Sequence, residues 1–303
     1  MLQKTQRQVL NIEYVTKRID RLPLLPAVVL ELTQLSQDAD DFYEKMAELA
    51  SQDPPLSARI LGFANTISPA SDKQINNVHQ ALMKLGVIKT LNLINELTTV
   101  SAFSPTKPEY KTIWRHSVET ARFSRFLAVH IPEFDLSDEL AYSCGLLHDL
   151  GRFVLLQVAV HAVESVDAAG WDSPQELPEV EQSLFGFNHA EVGRIAAEHW
   201  QLPDIICKTL RFHHHYNLWE MDEVPRSFLQ LLTVVQFADF LSVLLIQNPQ
   251  WRSWSETELS ERIRSYCTHS DWPDIAFPID KLVKALPLMS DECEKILLQA
   301  GVA

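Results

Sequence analysis

Histidine and aspartate recur through the middle of this chain inside otherwise apolar sequence. His148 and Asp149 are adjacent in Gly145-Leu-Leu-His-Asp-Leu-Gly-Arg152. His116 lies upstream in Trp-Arg-His-Ser, and His189 in Gly-Phe-Asn-His-Ala-Glu-Val-Gly lies downstream. The triplet His213-His214-His215 and Asp239 in Gln-Phe-Ala-Asp-Phe follow. Imidazole nitrogens mixed with carboxylate oxygens suit Zn, Mn, Fe or Ni, whereas an all-oxygen set suits Mg or Ca. Leu146, Leu147 and Leu150 flank the His148-Asp149 pair, and an unpaired polar group in such surroundings costs several kcal/mol. A divalent metal supplies the partner. A single histidine on an apolar helix face is more often a satisfied core group than a ligand, so the inference rests on the ordered set.

The elements that position these residues read as helices. Eight glycines in 303 residues is few, and the Leu, Ala, Glu and Gln content favours helices over hairpins. The expected fold class is all-α, a multi-helix bundle with an N-terminal helical subdomain. An opening helix over 1–20 ends before Leu22-Pro-Leu-Leu-Pro26, and Val28, Leu32 and Leu35 keep helical spacing. Further helices are expected over 42–51, 56–65, 78–85 and 88–100, none carrying a catalytic cluster. Ser104-Pro-Thr-Lys-Pro108 is a candidate hinge. Beyond it, one helix over 112–129 carries His116, and another, capped by Ser137, runs through His148 and Asp149. Asn188 with Glu191 caps a helix with His189 in its first turn. Leu202-Pro203-Asp204 opens a helix whose apolar Ile206 and Leu210 lead at helical spacing to an inward His213. Asp239 is the lone charge in an apolar helix over 228–246. A Trp-rich linker and helices over 256–267, 279–286 and 291–299 complete the chain. The expected divisions are 1–105, 106–246 and a C-terminal extension over 247–303.

The ordered set His116, His148-Asp149, His189, His213-His214, Asp239 resembles the HD superfamily of metal-dependent phosphohydrolases. More closely it resembles the HDOD branch, bacterial signalling output domains related to HD-GYP phosphodiesterases. Leu22-Pro-Leu-Leu-Pro-Ala-Val-Val29, the segment from Asp53 to Asn65 and His79-Gln-Ala-Leu-Met-Lys-Leu-Gly86 carry that branch's character. The resemblance spans about residues 15–245. It implies one or two metal ions, one held by His116, His148, Asp149 and Asp239, the other by Asp149, His189, His213 and His214, with Asp149 bridging. His214-His215 is the alternative register for the paired histidines. Two positions depart from the enzymes of the superfamily. The Gly-Tyr-Pro that follows the paired histidines of HD-GYP proteins is replaced by Tyr216-Asn-Leu. The usual lysine after His-Asp-x-Gly is Arg152, a fixed charge that offers a bidentate phosphate clamp but no acid–base chemistry. Asp149 and Arg152 are the candidate catalytic residues of a phosphohydrolase.

Composition bounds the rest. Lys and Arg number 26 against 40 Asp and Glu, a net charge of −14, and such a field repels phosphate backbones. Nucleic acid is therefore not an expected partner, and the one modest basic run is Arg122 to Arg125. Cys144, Cys207, Cys267 and Cys293 are far apart and form no C-x-x-C pair, which fits reduced, buried thiols in the cytosol. No N-terminal apolar segment and no run of eighteen apolar residues points to secretion or a membrane. Two readings follow: an HDOD-type output module whose partners are signalling proteins, with a retained metal site, or an active phosphohydrolase on a phosphorylated small molecule.

Overall fold

The computed structural model describes residues 10–19, 42–67, 74–100, 108–300 and 302. Among them no strand occurs, and the all-α expectation holds. The segment Leu22 to Leu35, the candidate hinge around 104–107 and the expected subdomain boundary at 105 lie outside the described residues.

In the N-terminal part, α1 covers Ile12–Thr16, α2 Phe42–Ala50, α3 Pro54–Thr66 and α4 Val78–Val100. Helix α3 begins two residues earlier than expected. Asp53 is an extended N-cap whose side chain accepts from the Leu56 amide, and Pro54 and Pro55 fit a first turn that has no use for their missing N–H groups. The span labelled α4 is two helices, as expected over 78–85 and 88–100, separated at Gly86, whose φ 72 and ψ 166 are not helical.

The central bundle contains α5 Pro108–His130, α6 Asp138–Leu147, α7 Leu150–Val158, α8 Val160–Ala169, α9 Leu177–Phe185, α10 His189–His199, α11 Asp204–Phe212 and α12 Arg226–Gln247. Here the structure corrects one expectation. His148 and Asp149 do not lie inside one helix: α6 ends at Leu147 with His148 as its C-cap, and Asp149, at φ −97 and ψ 20, precedes α7. The break turns both side chains toward the bundle axis. Helix α5 packs along α6 and α12, while α10 packs along α7 and α11. Long and apolar enough to cross a membrane, α12 has 89% of its most apolar window buried inside the fold. It is the core helix.

Two glycines allow backbones to touch. A β-carbon on Gly151 of α7 would overlap the His189 carbonyl oxygen at the start of α10, and one on Gly62 of α3 would overlap the Trp200 carbonyl oxygen just past its end.

The C-terminal extension forms α13 Glu256–Tyr266 and α14 Ile279–Gln299. The two helices expected over 279–286 and 291–299 are one, continuing through Pro287. Proline normally disrupts a helix interior. Here the buried face Leu286, Met289, Ser290 and Cys293 runs past it and keeps the helix on the bundle. Between the two helices, His269 stacks on Tyr216 with centroids 4.6 Å apart, and Phe277 stacks on Phe237 at 4.3 Å. The extension therefore walls the same region of the bundle that holds the histidines.

Candidate metal centre

Five helix ends or interiors deliver the donors. His116 and Asp239 project from the middles of α5 and α12, His148 and Asp149 from the break between α6 and α7, His189 from the first turn of α10, and His213 and His214 from the end of α11. Asn188 caps α10 by accepting from the Glu191 amide at 3.0 Å, which fixes the turn that carries His189. Gln236 of α12 donates to the carbonyls of His213 and His215, both at 3.1 Å, and anchors the backbone of the triplet.

Donor atoms meet in two groups that could hold a metal ion, His116, His148 and Asp149 on one side and Asp149, His189, His213 and His214 on the other. Asp149 belongs to both, and its Oδ1 also lies 3.8 Å from His148 Nε2. Oδ1 lies 3.0 Å from His189 Nε2 and 3.6 Å from His213 Nε2, while Oδ2 lies 3.7 Å from His116 Nε2. Asp239 joins through His116, with Oδ1 3.3 Å from its Nε2. Of the two registers the sequence left open, the structure brings His213 and His214 into the cluster. His215 turns to the Phe212 ring at 5.3 Å.

Whether these residues fit a metal can be tested by following the ring protons. His148 Nδ1 donates to the Gly145 carbonyl and His213 Nδ1 to the Leu210 carbonyl, both at 2.8 Å. His189 Nδ1 donates to Glu181 Oε2 at 2.6 Å. Ser242 gives its one hydroxyl proton to Glu119 Oε2 at 2.8 Å, so its oxygen accepts from His116 Nδ1 at 3.0 Å. With Nδ1 committed in all four rings, each neutral ring presents a bare Nε2 to the cluster. Those nitrogens face one another, His116 and His148 at 3.1 Å and His189 and His213 at 3.2 Å, while His214, whose Nδ1 lies 3.5 Å from the Tyr216 hydroxyl, brings its Nε2 to 2.9 Å from His189 Nε2. Lone pairs aimed at lone pairs at such distances need a cation between them. The buried Asp239 Oδ2, which has no hydrogen-bond partner, adds another uncompensated acceptor. The donor set fits one or two divalent ions, and the ring anchors are of the kind that hold metal-bound histidines.

Electrostatics agree. Burial pushes His148 down to about 4 despite the nearby Asp149 and Asp239 carboxylates. Burial, reinforced by His213 and His189, holds His214 well below the ordinary imidazole range. His189 goes the other way: burial opposes its charge, but Glu181 and Asp149 outweigh it and raise the ring to about 10. Without a metal, a proton on His189 supplies the positive charge that the carboxylates demand.

Arg152 is 7% exposed and lies between two carboxylates, 3.7 Å from Asp149 Oδ2 and 3.8 Å from Asp167 Oδ1, with its guanidinium over the Trp171 ring. Access to the cluster is narrow. His116, His148, Asp149, His189, His213 and Asp239 are each at most 4% exposed. His214 alone among the seven lines the surface hollow of about 260 Å³ that also holds Arg194 and Arg211. Tyr216, whose hydroxyl is 3.5 Å from His214 Nδ1, sits beneath the C-terminal wall. Glu181, Glu119, Ser242 and Gln236 are the supporting residues that the sequence did not single out.

A family model described as HDOD domain matches residues 22–216. An uncharacterized protein of Treponema pallidum is 26% identical over 227 residues, 74% of this chain and 43% of that protein. The cyclic di-GMP phosphodiesterase CdgJ of Vibrio cholerae is 33% identical over 104 residues, 34% of this chain and 23% of that one. The chain thus spans less than half the length of these curated relatives. Among solved structures, the MmoQ response regulator of Methylococcus capsulatus superposes with a TM-score of 0.62 at 20% identity, covering 80% of this chain and 92% of that one. A virulence factor of Campylobacter jejuni does so with a TM-score of 0.59 at 18% identity, covering 93% and 96%. At these identities the likeness is one of fold.

Proposed function

The chain belongs to the HDOD family, and we propose that it is a cytosolic signalling output module whose buried His/Asp cluster holds one or two divalent ions, Fe, Mn, Ni or Zn. The observation that carries the metal reading is the convergence of bare Nε2 atoms on Asp149, with every Nδ1 of the four anchored rings already committed. The regulatory reading is supported by burial. Six of the seven donors are shut away from solvent, and the Gly-Tyr-Pro segment of HD-GYP proteins is replaced by Tyr216-Asn-Leu. Kinship over part of the chain with a cyclic di-GMP phosphodiesterase adds to it. The module would span an N-terminal part to about residue 105, a metal-holding part to 246 and the extension to 303, and would pass its state to protein partners.

A second reading, a phosphohydrolase acting on a nucleotide-like ester, is favoured by the complete donor set. A paired-ion centre supplies an activated water and a clamp on phosphate oxygens. The chain's own contribution would be Asp149, shared by the two donor groups, and Arg152, whose guanidinium offers a phosphate two parallel hydrogen bonds.

Metal analysis of the purified protein, followed by a phosphoesterase panel of mononucleotides, cyclic dinucleotides and aryl phosphates with Mn, Fe, Ni and Zn, separates the readings. The module holds metal and shows no turnover beyond that of Asp149→Ala. Turnover exceeding the variant's at equal folded fraction makes the chain a phosphohydrolase. Absence of bound metal, with no uptake on titration, removes both.

A further inference from the structure

A second cavity, of about 370 Å³, opens where α2, α3 and the start of α4 face α5 and α6. Its volume lies in the ordinary range for small-molecule sites. Two orphaned polar atoms of opposite character belong to residues that line it. Gln52 is 3% exposed, and its Oε1 is buried without a partner. Arg122 Nε is likewise buried without an acceptor, although the far end of the same guanidinium pairs with Glu292. Buried polar groups are nearly always hydrogen-bonded, so an orphan donor and an orphan acceptor on one cavity indicate a missing occupant that offers both.

Charge narrows the choice. Arg125 lines the cavity too but faces Asp138 at 3.6 Å, whereas Glu44, Glu48 and Glu139 line it and are exposed. None of them pairs with a cation among the described residues. A simple anion would satisfy Arg122 and be repelled by three carboxylates. A simple cation would satisfy Gln52 and meet the guanidinium. We propose that this cavity binds a small zwitterion of the α-amino-acid class, its carboxylate accepting from Arg122 Nε and its ammonium donating to Gln52 Oε1 under the field of the rim glutamates. Nothing in this argument depends on the metal cluster. The cavity is nonetheless adjacent to it, since Ser143, Leu146 and Leu147 of α6 line the wall and His148 is the next residue. An occupant there would press on the helix that carries His148.

The test is calorimetry and thermal melting of the full chain with each standard L-amino acid, alongside acetate, propionate, methylamine and butylamine. At least one amino acid is expected to bind saturably and raise the melting temperature, with the single-charge probes inert. Gln52→Met, which keeps the volume and removes the orphan acceptor, should weaken that binding by roughly tenfold or more. Glu48→Gln, on the exposed rim and therefore safe for folding, should weaken it in the same direction. No binding by any amino acid overturns the proposal. So does equal binding of a carboxylate or an amine alone, or affinity unchanged in both variants.

Discussion

Glu181 Oε2 lies 2.6 Å from His189 Nδ1 and 2.8 Å from the His189 backbone nitrogen, so a single carboxylate oxygen fixes both the ring and the first turn of α10. The two contacts are buried, with Glu181 3% exposed and His189 fully enclosed. Glu181 therefore sets the tautomer of His189 and the direction of its Nε2. In Glu181→Gln the shape survives and the charge is lost. Metal affinity is expected to fall roughly 10–100-fold, as for other partners of metal-bound histidines. Competition against a chromophoric chelator measures it, and unchanged affinity would remove Glu181 from the centre.

Ser242 links His116 to Glu119, which in turn accepts from Arg115 Nε at 2.9 Å. Ser242→Ala leaves a ring N–H and a carboxylate oxygen short of partners in the core. Each unsatisfied group costs about 1–3 kcal/mol, so chemical denaturation should show a loss of at least that size. The loss should shrink in Ser242→Ala with His116→Phe, where the ring N–H is gone as well.

Gly151→Ala drives a methyl group into the His189 carbonyl. Overpacking of this kind costs about 1–3 kcal/mol, and here it must also separate α7 from α10. A lower melting temperature together with weakened metal binding is expected. Lower stability with metal affinity intact would show that α10 yields without moving His189.

Metal-free protein should be most stable near neutral pH. His148 is depressed by burial to about 4. The unfolded chain takes up its proton near 6.5 and the folded one does not, so stability falls as pH drops from 6.5 toward 4. Burial works against charge on His189 too, but Glu181 and Asp149 raise it to about 10. Its contribution is complete below 6.5 and is lost as pH rises from there to 10. Urea melts across this range should give a maximum that flattens when a saturating divalent ion replaces the proton.

Burial lifts the thiols of Cys144 and Cys293 to about 12 and of Cys207 to about 11, and holds Cys267 well above the usual thiol range. Thiolate, the reactive form, is thus scarce at pH 8. A thiol reagent should label the folded chain on the timescale of global unfolding, and all four cysteines promptly in denaturant.

Much of this could be read from the residues. The donors were legible because histidine and aspartate stand out in apolar surroundings: Asp239 is the lone charge in its helix, and the Asn188 cap located His189. Glu181 was not legible, because glutamate at a helical position reads as a solvated face. Its exposed neighbour Glu179 has the same local look. The available signal was spacing, since Glu181 lies one turn after the buried Leu177. Ser242 lies one turn beyond Asp239 and hid in the same way. The break at His148-Asp149 escaped because neither glycine nor proline marks it; the helical pattern of leucines runs straight across a turn set by tertiary contacts. Pro287 produced the opposite error, a breaker overridden by a continuous buried face.

Helix α10 is touched backbone to backbone at both ends, by Gly151 where it begins and by Gly62 of α3 just past where it ends. The second junction also carries side chains, the Arg59 guanidinium over the Trp200 ring and the Thr66 hydroxyl donating to Gln201 at 3.1 Å, so it has rotamers that the first lacks. The helix thus reaches from the N-terminal part to His189, and the direct backbone contact at its start leaves that end, and the imidazole it carries, little room to shift relative to α7.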